Sequence, residues 1–299
     1  MPLVSMKQLL DDATRHKYAV GYFESFNMDS LFAVLEAAEN KKSPVVIGFG
    51  GQFINSAKRK VKDSVYCFGA LAREAAARAG VPAAVLLNEA DDEDMVYQGM
   101  NAGFNAVMYQ NAREDFERTT EITKAICRVA HMLGVDVESE VGELPSSNIS
   151  DGSVTGGQNT DIRRAKLFAG ETNIDALAVA VGNIHLLEGK KAAIDFELLA
   201  ALRNELPIPL VLHGGTGIAP EDVKKSIKTG VAKINVGTAL KRAYIEAVRG
   251  YLDENDVDGL DPHAVVGWGG SGDMIARGRD AIVRKTEEFI GIFGSAGRA

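Results

Sequence analysis

Short apolar runs alternate with helical patterns along nearly the whole chain, and there are eight such runs. Those at 18–23, 44–49, 82–87, 105–109, 135–141, 176–181, 210–212 and 232–236 read as strands. Each is a burst of Val, Ile, Leu, Ala or aromatic residues, bounded by Gly, Pro or polar residues and too short for a helix. Between them, 28–42, 66–80, 91–103, 113–134, 161–172, 196–206, 220–230 and 239–252 carry helical spacing; in the first, Leu31, Val34 and Leu35 share a face. The stretch 220–230 opens with Pro220, Glu221 and Asp222, turns to lysines and stops at Gly230, the charge order that a helix dipole favours. Strands joined throughout by helices pair in parallel, and eight of them close into a (β/α)8 TIM barrel. An open doubly wound sheet is the alternative, disfavoured by the count and by the lack of a Gly-x-Gly-x-x-Gly after the first strand. Residues 1–299 are expected to form one α/β domain, with the barrel over about 18–252 and an additional C-terminal helix over about 271–293, read as packing on a partner subunit.

Composition narrows the partners. A net charge of −8 leaves no basic surface for nucleic acid. No apolar run approaches the roughly 20 residues that span a bilayer, and the first residues lack a secretory pattern. A cytoplasmic, soluble homodimer or homotetramer is the expectation. The two cysteines, Cys67 and Cys127, sit in helical patterns and read as buried free thiols. The polar stretch 143–160, rich in Gly, Ser and Asn, reads as a long loop of the kind used for lids.

In a barrel of this type, function sits where strands end at the C-terminal face. The residues there are Glu24, Asn88, Glu89, Glu138, Glu140, His185, His213 and Asn235. His16, His131 and His263 fall elsewhere and are given no role. Two imidazoles, His185 and His213, with a neighbouring carboxylate suit Zn²⁺ or a similar divalent ion. A metal-free hydrogen-bonding or acid–base role fits the same residues. The turns Gly214-Gly215-Thr216-Gly217 and Asn235-Val236-Gly237-Thr238 offer glycine-flanked N–H groups where helices begin, the construction that holds a phosphate.

The chain resembles the class II, metal-dependent ketose-bisphosphate aldolases, a family that includes fructose- and tagatose-bisphosphate aldolases. The resemblance spans about 18–248. It is carried by Ala19-Val-Gly, Leu35-Glu-Ala-Ala, Ala102-Gly-Phe-Asn-Ala-Val-Met, Val137-Glu-Ser-Glu-Val-Gly and Ala178-Val-Ala-Val-Gly-Asn-Ile-His185. Asp195-Phe-Glu-Leu-Leu, Leu212-His213-Gly-Gly-Thr-Gly and Lys233-Ile-Asn235-Val-Gly-Thr238 complete it. It implies a TIM barrel and a catalytic Zn²⁺ held by three histidines, two of them matching His185 and His213. That metal polarises the carbonyl of a dihydroxyacetone-phosphate moiety. The phosphate is expected on the loops 214–217 and 235–238, and the loop after the fifth strand, here 143–160, is expected to close over it.

Where the family has His-Leu-Asp-His-Gly after the third strand, this chain has Leu86-Leu87-Asn88-Glu89-Ala90. The proton-exchanging aspartate has become an amide, which cannot transfer a proton. The third metal ligand has become Glu89, and a His₂Glu set admits Mn²⁺ or Mg²⁺ beside Zn²⁺. The family's Phe-Asn after the first strand is Phe23-Glu24, so Glu24 is the first candidate for the missing acid–base group, followed by Glu89 and Glu140. The expected function is a divergent aldolase-type lyase that makes or breaks a C–C bond in a phosphorylated ketose through an enediolate. The alternatives are a sugar-phosphate epimerase or isomerase using the same chemistry and a non-catalytic sugar-phosphate binder.

Overall fold

The computed structural model describes residues 2–61, 63–147, 153–184 and 192–299. Eight parallel strands close a barrel: β1 Val20–Ser25, β2 Val45–Gly50, β3 Ala83–Ala90, β4 Ala106–Tyr109, β5 Asp136–Val141, β6 Ala176–Val179, β7 Leu210–Leu212 and β8 Val231–Val236. Each strand pairs with its sequence neighbours. The closure is β1 on β8, with Val20 opposite Lys233 and Tyr22 opposite Asn235. The (β/α)8 expectation therefore holds, and most element ends move by only a few residues. Among the described residues no helix is long and apolar enough to cross a membrane.

Alternation along the strands builds two cores. Residues facing outward, such as Val45, Ile47, Val85, Val107 and Val137, pack under the surrounding helices. Residues facing inward, such as Val20, Val46, Ala84, Leu86, Met108 and Val211, fill the barrel itself. Met6, Leu9, Leu10 and Ala13 of a helix Met6–His16 join this inner core and plug one end of the barrel. The sequence reading passed over this helix, because its few apolar residues are spread among polar ones and find their partners only in the closed barrel. Ser5 caps it, and both the Ser5 hydroxyl and the Lys7 N–H donate to Asp136 at the start of β5.

Gly48 shows how tight the wall is. It has φ +150°, and a Cβ there would lie 1.9 Å from the Leu86 carbonyl oxygen on β3. Gly48→Ala is expected to destabilise the protein by about 3 kcal/mol or more. Chemical denaturation of the two proteins side by side checks this; an unchanged midpoint would mean that β2 and β3 tolerate the methyl group.

Three expectations need correction. The C-terminal helix, Met274–Phe293, spends its buried face on its own barrel: it packs against the helices Met28–Asn40 and Thr238–Glu254, and Phe293 stacks on Phe23 with ring centroids 6.1 Å apart. A partner subunit is not what covers that face. Cys67 is exposed and only Cys127 is buried, because Cys67 lies on the outward side of the helix Val65–Arg78. The stretch expected as loop contains a two-stranded ribbon, Ser146–Ser147 against Val154–Thr155, with a bridge between Glu143 and Gln158. Residues 148–152 of it lie outside the described set.

Candidate active site

The inner face changes character toward the C-terminal ends of the strands. Apolar residues give way to Glu24, Asn88, Glu138, Glu140, His213, Lys233 and Asn235, all buried. Period-two alternation accounts for Glu24, Asn88 and His213, which lie two residues beyond the inward Tyr22, Leu86 and Val211. On β8 the register shifts between Val231 and Lys233, so Lys233 and Asn235 follow the inward Ala232 out of step. Glu89 does not fit that pattern, because its neighbour Asn88 already points inward. The register between β3 and β4 shifts between Leu87 and Ala90, and Glu89 has φ +49°. A left-handed residue at a bulge turns a second consecutive side chain into the barrel mouth, at a backbone cost of about 1–3 kcal/mol.

His213, fully buried at the end of β7, is the hub. Its Nε2 lies 3.0 Å from Glu138 Oε1; its Nδ1 lies 3.1 Å from Glu89 Oε1 and 3.7 Å from Glu140 Oε2. Its carbonyl accepts from Asn183 Nδ2 at 3.0 Å, which fixes the backbone beneath the ring. The other oxygen of Glu89 accepts from Gln52, on the short helix Gly51–Ile54. Behind Glu138 stands Lys233, whose Nζ lies 3.0 and 2.9 Å from the two Glu138 oxygens and 2.6 Å from Asn235 Oδ1. On the neighbouring strand, β1, Glu24 pairs with Lys241, which lies over the Phe53 ring.

Burial sets the electrostatics. It would depress the His213 pKa, but the hydrogen bonds that the ring donates to Glu138 and Glu89, with the charges of Glu89 and Glu140, outweigh it and raise the group to about 9. Burial, with Glu89 and Glu138 nearby, lifts Glu140 to about 7 against the opposing pull of His213. Burial also raises Glu24, partly offset by Lys241. Glu138 goes the other way: burial is overcome by the charge of Lys233 and the bond from His213, so its carboxylate is held ionised.

The donor set fits a divalent cation. Glu89, Glu138 and Glu140 crowd one imidazole and one ammonium, a buried excess of carboxylate that a cation relieves. The separations of 3.1 and 3.7 Å from His213 Nδ1 are close to those between neighbouring donors that share an ion at roughly 2.1 Å each. Among the described residues no three such groups already enclose one point as a finished site. His185, expected to complete the set, lies outside the described residues.

Glu24, Asn88, Glu89, His213, Gly214, Thr216, Asn235, Val236, Gly237 and Thr238 line one cavity of about 620 Å³. Its anion-facing end is the start of the helix Thr238–Glu254, where Gly237 contributes no side-chain cap, the Thr216 hydroxyl accepts from the Ala239 N–H at 3.2 Å, and Gly237 and Thr238 line the cavity. Two loop residues behave differently from expectation. Gly217 donates its N–H to the Gly214 carbonyl at 3.0 Å, so that N–H is consumed within the turn. Gly215 is pressed against β8, where a Cβ would meet Ile234 at 2.6 Å and the Asn235 carbonyl at 2.8 Å. These two glycines let the loop close on the strand; Gly214 and Thr216 present the surface. Glu140 lines an adjoining cavity of about 360 Å³ and meets the first through His213.

Sequence reading missed Lys233, Lys241, Gln52 and Tyr22 as parts of the site. Lys233 was visible as the lone charge in the strand Val231–Val236. Lys241 and Gln52 carried no signal, since their approach depends on how the helices meet the barrel mouth.

The model of the fructose-bisphosphate aldolase class-II family matches residues 4–298. The uncharacterized protein YdjI of Escherichia coli K12 is 31% identical over 297 residues, 99% of each chain. The crystal structure of the YdjI aldolase superposes with a TM-score of 0.82 at 30% identity, over 99% of each chain. The fructose-bisphosphate aldolase of Geobacillus stearothermophilus is 33% identical over 319 residues, covering 100% of this chain and 99% of its own. The 6-phospho-5-dehydro-2-deoxy-D-gluconate aldolase of Bacillus subtilis is 32% identical over 299 residues, covering 100% and 98%. Matched from its N-terminal helix to its last residues, and carrying its buried polar layer at the mouth of a closed eight-stranded barrel, the chain belongs to the class II fructose-bisphosphate aldolase family of metal-dependent carbon–carbon lyases.

Proposed function

We propose that the protein cleaves and forms the C–C bond of a phosphorylated ketose, with a dihydroxyacetone-phosphate-like moiety seated between the helix N-terminus at Gly237 and the buried cluster around His213. The observation that carries this reading is the single cavity that joins His213 and Glu89 to the start of the helix Thr238–Glu254, beside Gly237 and Thr238. His213 and Glu89 would hold the divalent ion, with His185 as the third ligand and Glu140 within reach. Zn²⁺ is the first candidate, and the carboxylate admits Mn²⁺ or Mg²⁺. Bound there, such an ion supplies Lewis-acid polarisation of the ketose carbonyl.

The chain's own groups supply the rest. Backbone N–H groups at Gly237 and Thr238, with the Thr216 and Thr238 hydroxyls, hold the phosphate. Glu24 borders that end: a Cβ on Gly237 would stand 3.5 Å from its Oε1. Lys241 offsets the repulsion that an ionised Glu24 would exert on the phosphate. In the cleavage direction Glu24 takes the proton from the hydroxyl on the far carbon. The electrons of the breaking C–C bond remain on the carbon next to the carbonyl, which is then reprotonated. Asn88, an amide where the family has an acid, orients a substrate hydroxyl. Self-association as a homodimer or homotetramer is supported by large exposed apolar residues on the last barrel helix, Ile245 and Leu252, and after it, Leu260 and Trp268.

The test is a panel of ketose 1-phosphates and bisphosphates with Zn²⁺, Mn²⁺ or Mg²⁺, scored for triose phosphate and for epimers. Triose phosphate is the expected product. Removing the 1-phosphate is expected to lower kcat/KM by about 10²-fold or more, since two charge-assisted hydrogen bonds contribute about 1.5–3 kcal/mol each. Epimers without triose phosphate from every ketose would replace the lyase reading with the isomerase one.

A further inference from the structure

The most anomalous buried residue is Lys233. It is fully buried in β8, over the ring of Tyr22 at 5.1 Å, where an apolar side chain would fill the barrel without a desolvation cost. Its ammonium is matched on every side: the two oxygens of Glu138 at 3.0 and 2.9 Å and Asn235 Oδ1 at 2.6 Å. Each of these partners is tied to the cavity. Glu138 Oε1 also meets His213 Nε2 at 3.0 Å. Asn235 lines the cavity.

We propose that Lys233 is a positioning residue that aims two site groups at once, the His213 ring through Glu138 and the Asn235 amide directly. The chemistry of the donors leaves little choice. An ammonium only donates, so the Asn235 oxygen must face Lys233 and its NH₂ must face away. That Nδ2 has no hydrogen-bond partner among the described residues, so the donor is left for a substrate oxygen. Glu138, held as a carboxylate by Lys233, only accepts, so His213 must carry its hydrogen on Nε2. The opposite ring nitrogen, Nδ1, is then the one turned toward Glu89 and Glu140. Methionine could fill the volume of Lys233 but would fix neither orientation.

The histidine arm of this inference rests on the reading of His213 as a cation ligand; the asparagine arm does not. The experiment uses the full chain with ¹⁵N-labelled histidine, as wild type, Lys233→Met and the double variant Lys233→Met with Glu138→Gln. Zn²⁺ affinity is measured by competition with a chelating dye, the His213 tautomer from its ring nitrogen shifts in alkaline solution, where the ring is neutral, and kcat and KM on the best ketose phosphate. Lys233→Met is expected to weaken Zn²⁺ about 10- to 100-fold, the usual scale for losing an outer partner of a metal-bound histidine. It is also expected to mix the His213 tautomers and raise KM. The double variant removes the stranded carboxylate but keeps an acceptor for Nε2–H. It is expected to regain the tautomer and most of the Zn²⁺ affinity while KM stays high, and it serves where the single variant does not fold. Wild-type Zn²⁺ affinity, tautomer and KM in a folded Lys233→Met protein would overturn the proposal, whatever its melting temperature. Wild-type His213 shifts that ignore Zn²⁺ would instead overturn the ligand reading, and the KM and tautomer comparisons would still decide what Lys233 does.

Discussion

Replacing His213 with alanine is expected to strip the protein of its divalent cation and to lower turnover by about 10³-fold or more. The estimate follows from the several kcal/mol of charge stabilisation that a Lewis-acidic ion contributes at a breaking bond. His213 contributes the only imidazole described in the site, and Glu89 and Glu140 face its Nδ1. Without the ring these carboxylates lose the group between them, and the two remaining members of the proposed set, Glu89 and His185, hold Zn²⁺ weakly. The fold should survive, because Glu138 keeps Lys233 as its partner. Metal analysis of both purified proteins after Zn²⁺ supplementation, with circular dichroism as the folding control, decides the matter. Stoichiometric Zn²⁺ retained in His213→Ala would move the cation elsewhere and leave His213 as an acid–base or hydrogen-bonding group.

Glu24→Gln is expected to lower kcat about 10²-fold, the usual scale for losing a general base, with metal content unchanged. Glu24 is engaged by Lys241 and is not among the proposed cation ligands, so an isosteric amide should leave the cation in place. Burial raises its pKa above the ordinary carboxylate range, with Lys241 and His213 opposing and Glu89 adding to the rise. As a base in the cleavage direction it acts ionised. The wild-type kcat/KM should therefore climb as pH rises through that raised value, and this limb should vanish in Glu24→Gln. An unchanged profile and rate would transfer the role to Glu89 or Glu140. Asn88→Asp, which restores the acid lost at that position, is the natural companion variant.

The outline of the fold was legible because it depends on local pattern. Runs such as 44–49 and 176–181 are too apolar and too short to be anything but strands buried on both faces, and helices between them force parallel pairing. The same pattern located Glu24, Asn88, His213 and Asn235, since a strand in a barrel delivers its end residues to one rim. The helix Met6–His16 was not legible, because its apolar residues gain their meaning only from the barrel end they plug. The tail helix was legible as a helix but not in its partner, because its apolar stripe is the same whether it covers its own barrel or another subunit.

Within the site, the sequence alone determined which chemical groups reach the rim: an amide and a carboxylate at positions 88 and 89, a histidine at 213, a lysine in β8. Only the tertiary structure decided how they face one another. Alternation sends Asn88 inward and would send Glu89 outward; the bulge and the left-handed backbone at Glu89 bring both into one cavity. Lys233 reads as a misplaced charge until the barrel closes and puts Glu138 and Asn235 around it. These contacts join residues as far as 95 positions apart in the chain. No local propensity encodes them, because their energies exist only when the barrel excludes water and makes each buried charge find its partner.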